Sequence, residues 1–170
     1  MANDLVRLTA TEAVASLRRG AVSPLDLVEA AAARIEAVEP AVNAMPVLCL
    51  DQARETARHW PKPSEDEFAR PGNLGGLPIA VKDYNDLAGL PTSFGSPIFR
   101  DAVAARSDLT VRTLEASGAL PIGKSNVPEF ACSADTSNLL FGSTRNPCDL
   151  ERVAGGSSGG AAAAVASTGA

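Results

Sequence analysis

Two stretches near the N-terminus carry apolar residues at helical spacing. In the first, Ala10, Val14 and Leu17 follow a Thr9-x-x-Glu12 capping box, and the pattern stops at Gly20. The second opens with Ser23 as N-cap, Pro24 at the first helical position and Asp26 in place of the box's glutamate. There Leu27, Val28, Ala31, Ala32, Ile35 and Val38 recur on one face, with Glu29, Arg34 and Glu36 on the side predicted to face water. Further on the pattern changes to short apolar runs. Residues 44–50 suit a buried strand, and Asp51 is placed to cap a helix reaching about His59. Residues 61–76 hold three prolines and three glycines among mixed charges, which predicts a loop and an internal boundary. The run 77–83 reads as a buried strand, and residues 89–97 are rich in turn formers. Asp108 and Thr110 introduce a helix with Leu109, Val111, Leu114 and Ala116, closed by Gly118, and residues 119–123 suggest another buried strand. Residues 126–145 are polar and irregular, which in a compact domain marks a functional loop more often than an idle one.

Composition narrows this picture. A hydrophobic share of 45% supports a core, but aromatic residues make up only 4%, so packing must rest on close approach of small side chains. The net charge of -5 argues against a surface built to release counterions from nucleic acid. The Arg18-Arg19 pair reads as the cationic end of the first long helix. Three cysteines without CxxC spacing, Cys49, Cys132 and Cys148, indicate neither a disulfide framework nor a zinc site and are read as buried free thiols. The N-terminus has no basic-then-apolar leader, and no run of about 18 apolar residues occurs, so a soluble cytoplasmic protein is expected.

Few positions offer chemistry. Residues 155–160 read Gly-Gly-Ser-Ser-Gly-Gly and run directly into Ala161-Ala162-Ala163-Ala164-Val165-Ala166. Two hydroxyls between glycine pairs at the start of a helix would gather backbone amides and serine oxygens around one small volume, suited to an oxyanion. The same composition fits a flexible linker, and both readings stand on the residues alone. Lys82 closes an apolar run just before Asp83. It either snorkels out of a strand end or sits at the rim of a core, where desolvation lowers its pKa toward use as a base. His59, the sole histidine, reads as a surface residue at a helix end, with no partner for a Ser-His or Cys-His dyad. Residues 118–125 match GxxxxGK[ST], but that phosphate loop needs a preceding strand, a flexible loop and a following helix. Here a helix precedes Gly118, strand-like Leu120-Pro121-Ile122 fills the loop and Pro128 follows, so the context fails. Glu129 and Asp135 form no convincing acid-base pair, because nothing in their spacing forces them together.

Taken in order, four segments resemble the amidase signature family of serine amide hydrolases. They are Gly75-Gly76-Leu77-Pro78-Ile79-Ala80-Val81-Lys82-Asp83, Gly123-Lys124-Ser125-Asn126-Val127-Pro128-Glu129-Phe130, Phe141-Gly142-Ser143-Thr144-Arg145-Asn146-Pro147 and the glycine-serine stretch 155–160. The resemblance implies an α/β fold: the N-terminal part of the amidase signature fold, a mixed β-sheet core surrounded by α-helices, here incomplete. Residues 1–170 would form the N-terminal portion of one amidase domain, with 1–60 a helical scaffold, 61–76 a loop and 77–170 the start of the catalytic core. It further implies a Ser-cisSer-Lys triad in which Lys82 is the base and Ser157 the bridging serine, preceded by a cis peptide bond. Ser158 would support the relay, while Ala131 and Ser133 match a segment bordering the substrate pocket in relatives. The family's nucleophilic serine lies in a second glycine-rich stretch beyond Ser157, so these 170 residues alone are expected to be inactive.

The implied reaction is hydrolysis of a small-molecule carboxylic amide to an acid plus amine or ammonia, with no cofactor, no metal, no direct nucleic-acid partner and no membrane. The implied partners are a second copy in a homodimer or the other subunits of a tRNA-dependent amidotransferase, whose amidase subunit is the rival reading within the fold. The loop after Phe130 looks more like the free-standing amidases. Outside enzymes, the alternative is a noncatalytic module that binds an anion or nucleotide on its glycine loops.

Overall fold

The computed structural model describes residues 2–61 and 64–168. After α1 (Ala2–Leu5), the two capping boxes start α2 (Ala10–Arg18) and α3 (Pro24–Val42) as the spacing predicts. The Thr9 and Ser23 hydroxyls accept from the amides of Glu12 and Asp26 at 3.3 and 3.1 Å, and those residues' carboxylates accept the cap amides at 2.8 Å. Each box therefore satisfies donors that a bare helix end leaves free. Ser23→Ala in the full-length protein is expected to cost about 1 kcal/mol by urea denaturation. A change within error would show that packing alone fixes the start of α3.

Leu27, Val28, Ala30, Ala32 and Val42 bury the inner face of α3, with Ala31, Ile35 and Val38 packed beside them. Arg34, expected on the wet face, is instead half-buried: its Nε donates to the Ser167 carbonyl at 2.7 Å, and its Nη2 donates to the same oxygen. A guanidinium there complements the carbonyl-rich end of the last helix.

The run 44–50 forms less strand than expected. The Glu39 carboxylate accepts the amides of Ala44 and Met45 at 3.0 and 2.6 Å, which turns the chain and leaves only β1 (Val47–Leu48) in ladder geometry. Next, α4 (Leu50–Arg58) begins two residues earlier than predicted, with Cys49 rather than Asp51 at the N-cap and Asp51 inside the first turn. The 61–76 loop also contains a short helix, α5 (Glu65–Ala69), opened by a Ser64–Glu67 capping box. Arg18 reaches across to it: its Nη2 donates to the Phe68 carbonyl, and its guanidinium carbon lies 5.9 Å from the Phe68 ring centroid.

Among the described residues, three strands form the central sheet in the order β1-β3-β2. β2 (Leu77–Lys82) leads through α6 (Leu109–Ala116) to β3 (Ala119–Ser125), which pairs parallel with β2 and antiparallel with β1. β3 is central and buried at every position except the half-buried Pro121. β2 lies at an edge, so only Val81 of it is fully buried, against the expectation of a buried strand. Asp108 stands at the N-cap of α6 but makes no side-chain cap bond; its carboxylate instead accepts the Asp86 amide at 3.0 Å and Asn85 Nδ2 at 3.2 Å.

The polar stretch resolves into two small ladders, β4 (Ser137–Asn138) with β5 (Gly142–Ser143) and β6 (Arg145–Asn146) with β7 (Asp149–Val153), before α7 (Gly159–Ala166). The main core joins Val28 and Val42 of α3, Ala53 and Ala57 of α4, Leu120 and Ile122 of β3, and Ala163 of α7. Alanine at these contacts lets helices approach the sheet closely. Cys49 is half-buried, but Cys132 and Cys148 are exposed, correcting the expectation of three buried thiols. Both lie in irregular or turn segments where little packs over them. Among the described residues, no helix is long and apolar enough to cross a membrane.

Candidate active site

The C-terminal end of β2 and the N-terminal end of α7 meet. Side chains alternate across a strand, so successive residues of β2 face opposite sides of the sheet. Lys82 turns toward α7, where its Nζ lies 3.0 Å from Ser157 Oγ and 2.9 Å from Ser158 Oγ. The peptide bond between Gly156 and Ser157 is cis, as the resemblance implies. Asp83 turns the other way and meets Lys124 of β3, Nζ to Oδ1 3.0 Å, with both side chains buried. No local spacing in the sequence points to this pair, because only the alignment of two strands brings it together.

The pairing decides the electrostatics of Lys82. Asp83 is its neighbour in sequence, yet that carboxylate is spent on Lys124, on the Ser93 amide at 3.2 Å and on the Ser93 hydroxyl. Lys124 also donates to Thr92 Oγ1 at 2.9 Å and the Pro91 carbonyl at 3.1 Å, so the buried charges are hydrogen-bonded as well as paired. Lys82 thus has hydroxyl partners, and desolvation pushes its pKa below the ordinary lysine value. That places an amine with a proton-accepting tendency against a serine hydroxyl.

The polar segment supplies the scaffold that holds the glycine-serine stretch. Thr136 is fully buried; its hydroxyl donates to the Gly155 carbonyl at 2.8 Å and accepts the Gly159 amide at 3.0 Å, clamping both ends of the loop. Thr144 carries this clamp onward, its amide bonded to the Thr136 carbonyl and its hydroxyl to the Asn43 carbonyl at 2.7 Å. Glycine is required at two positions by close approach: a Cβ on Gly159 would strike the Thr136 hydroxyl, and one on Gly160 would strike the Asn126 backbone. These contacts show an ordered turn rather than a flexible linker. The helix starts at Gly159, inside the glycine pair rather than after it.

Of the two residues matched to the pocket segment, Ser133 lies beside this turn. Ala131 is half-buried with φ 56°, and the Ser133 backbone carbonyl faces Gly156, where an added Cβ would lie 2.9 Å from it. The Ser133 hydroxyl points away and donates to the Asp135 carboxylate. Glu129 accepts from Ser96 Oγ at 2.7 Å, so Glu129 and Asp135 are each engaged by a separate serine. His59 is exposed and sits over the last turn of α4, Nδ1 3.1 Å from the Glu55 carbonyl oxygen. The GxxxxGK[ST] match carries no phosphate loop, because β3 continues through Ser125 and Lys124 is buried against Asp83. Among the described residues, no group of three or more His, Cys, Asp or Glu side chains could hold a metal ion.

The sequence profile of the family described as Amidase matches residues 26–170. The chain belongs to the amidase family. Among curated amidase relatives, a glutamyl-tRNA(Gln) amidotransferase subunit of Acidothermus cellulolyticus is 40% identical over 167 residues, covering 96% of this chain and 32% of that protein. A solved structure from a vestigial protein complex, described as revealing the evolutionary origins of an s-triazine catabolic enzyme, is 37% identical with a TM-score of 0.84. That match covers 94% of this chain and 35% of the other. A bacterial aryl acylamidase of the amidase signature enzymes is 32% identical, with a TM-score of 0.80 over 92% of this chain and 32% of its own. The chain therefore spans about a third of the length of the amidase-family proteins it matches.

Proposed function

We propose that residues 1–170 are the N-terminal portion of an amidase domain and carry the proton-relay half of its active site, with Lys82 as base and Ser157 as bridge. The observation behind this reading is an amine held 3.0 Å from Ser157 Oγ with its pKa lowered by desolvation. In the reaction, a nucleophilic serine elsewhere in the full-length protein gives its proton to Ser157 Oγ as Ser157 passes its own to neutral Lys82 Nζ. The serine oxygen bonds to the amide carbonyl carbon, and the carbonyl electron pair moves onto oxygen. Collapse of this adduct breaks the C–N bond, and the Lys82 proton returns through Ser157 to the departing nitrogen. The resulting ester is cleaved by water along the same route, releasing the acid. Ser158 accepts an N–H of Lys82 and steadies the amine, while Ala131 and the Ser133 backbone border the bound amide.

A fluorophosphonate probe tests this assignment. The full-length protein is expected to be labelled at a serine outside residues 1–170, and a polypeptide of these residues alone is expected to remain unlabelled. Stoichiometric labelling of the short polypeptide at Ser157 or Ser158 would contradict the division of roles. A second reading, the amidase component of a tRNA-dependent amidotransferase, is favoured by the 40% identity to a curated protein of that kind. Glutamine hydrolysis that appears only when partner proteins are added would select it. Hydrolysis of simple amides by the protein alone would select the free-standing enzyme.

A further inference from the structure

Ser125 is the last residue of β3 and is fully buried, yet its Oγ has no hydrogen-bond partner. A buried hydroxyl left unmade is disfavoured, and such groups recur where a site needs them in a second arrangement. Its position is specific. Ser125 is the register partner of Lys82 on the parallel strand, so the two side chains share one face of the sheet. That face is the one on which Ser157 and Ser158 stand. The next residue, Asn126, underlies Gly160 of α7 so closely that no Cβ fits between them, which keeps Ser125 enclosed beneath the same helix end.

A neutral amine has one lone pair and two N–H donors, and a protonated one has three donors. For Lys82 to accept a proton from Ser157, the lone pair must point at Ser157 Oγ, so both N–H groups need other acceptors. Ser158 Oγ, at 2.9 Å, supplies one. We propose that Ser125 is a positioning residue for the Lys82 amine, its hydroxyl accepting the N–H that Ser157 and Ser158 leave over. This rests on the reading of Lys82 as the proton acceptor. In the structure the Ser125 hydroxyl is unpaired; its rotation, together with the flexible lysine stem, closes the bond as the Lys82 lone pair turns to Ser157 Oγ, and the bond is kept when Lys82 takes up charge. The other charges around the amine are already engaged. Asp83 and Lys124 neutralise each other on the far face, α7 presents hydroxyls, and Asp135 of the neighbouring loop accepts from Ser133.

The test compares Ser125→Ala, Ser125→Thr and Lys82→Ala in the full-length protein, reading the rate at which a fluorophosphonate phosphonylates the nucleophilic serine against pH, together with the Tm. Ser125→Ala is expected to be phosphonylated roughly 10- to 100-fold more slowly. Its acid limb should move to lower pH, because a lost acceptor for the ammonium lowers the pKa of Lys82. Its Tm should hold or rise, since an unpaired buried hydroxyl is removed, and Ser125→Thr should restore both rate and limb. A wild-type rate and profile for Ser125→Ala, beside an inactive Lys82→Ala, would overturn the role of Ser125 and leave that of Lys82 standing. A slower Ser125→Ala with a lowered Tm and an unmoved limb would also overturn it, as a packing effect. An active Lys82→Ala would overturn both.

Discussion

With Lys82 as the proposed base, Lys82→Ala is expected to lower kcat/KM for amide hydrolysis by the full-length protein roughly 10²- to 10⁴-fold, the range for removal of a positioned base. Ser157→Ala is expected to produce a loss of similar size, since the proposed relay would then have no bridge to the amine. The geometry makes a sharper prediction for the pair. In the proposed relay Lys82 and Ser157, 3.0 Å apart, act as one conduit, so the double variant should be no slower than the worse single variant. Steady-state assays on a panel of simple amides check this. Losses that multiply in the double variant would show that the two side chains serve separate steps.

The largest expected effect on stability lies on the opposite face of the sheet. Lys124→Met leaves the Asp83 carboxylate buried without its cation and is expected to destabilise the full-length protein by about 3–5 kcal/mol. Asp83→Asn combined with Lys124→Met should cost less than Lys124→Met alone, because it removes the stranded charge. Urea denaturation of the two variants separates these outcomes. Equal stability of both variants would mean that the pair matters through packing alone. The same pair bears on catalysis, since the carboxylate spent on Lys124 is the one adjacent to Lys82 in sequence.

Features that depend on near neighbours are legible in the order of the residues. The Thr9 and Ser23 caps rest on contacts three residues away, and α2 and α3 start where those boxes stand. The Ser64–Glu67 box has the same spacing, but the surrounding prolines and glycines outweigh it and make the segment read as loop. What escapes such reading is set by register. Asp83 and Lys124 meet only because β2 and β3 run parallel in one alignment, with Val81 opposite Lys124 and Lys82 opposite Ser125. Helical periodicity assigns Arg34 to water, because its partner, the Ser167 carbonyl, lies 133 residues away.

The site is legible for a different reason. Lys82 and Ser157 are 75 residues apart, and nothing in local periodicity joins them. The residues alone leave Lys82 divided between a snorkelling surface group and a base, and leave the glycine-serine stretch divided between linker and site. It is the ordered resemblance to a family that joins the two. The structure adds what the resemblance lacks: a clamp at Thr136, a counter-ion diverted from Lys82, and an unpaired Ser125 beside it.

The proposed role of Lys82 as a base rests on an amine held against Ser157, and its pKa is the most direct measure of that role. NMR titration of the full-length protein labelled with ¹³C-lysine, with Lys82→Ala used to assign the resonance, reads it without reference to any substrate. Lys82 is expected to titrate below the ordinary lysine value of about 10.4, coinciding with the acid limb of kcat/KM. Titration at or above that value would contradict it.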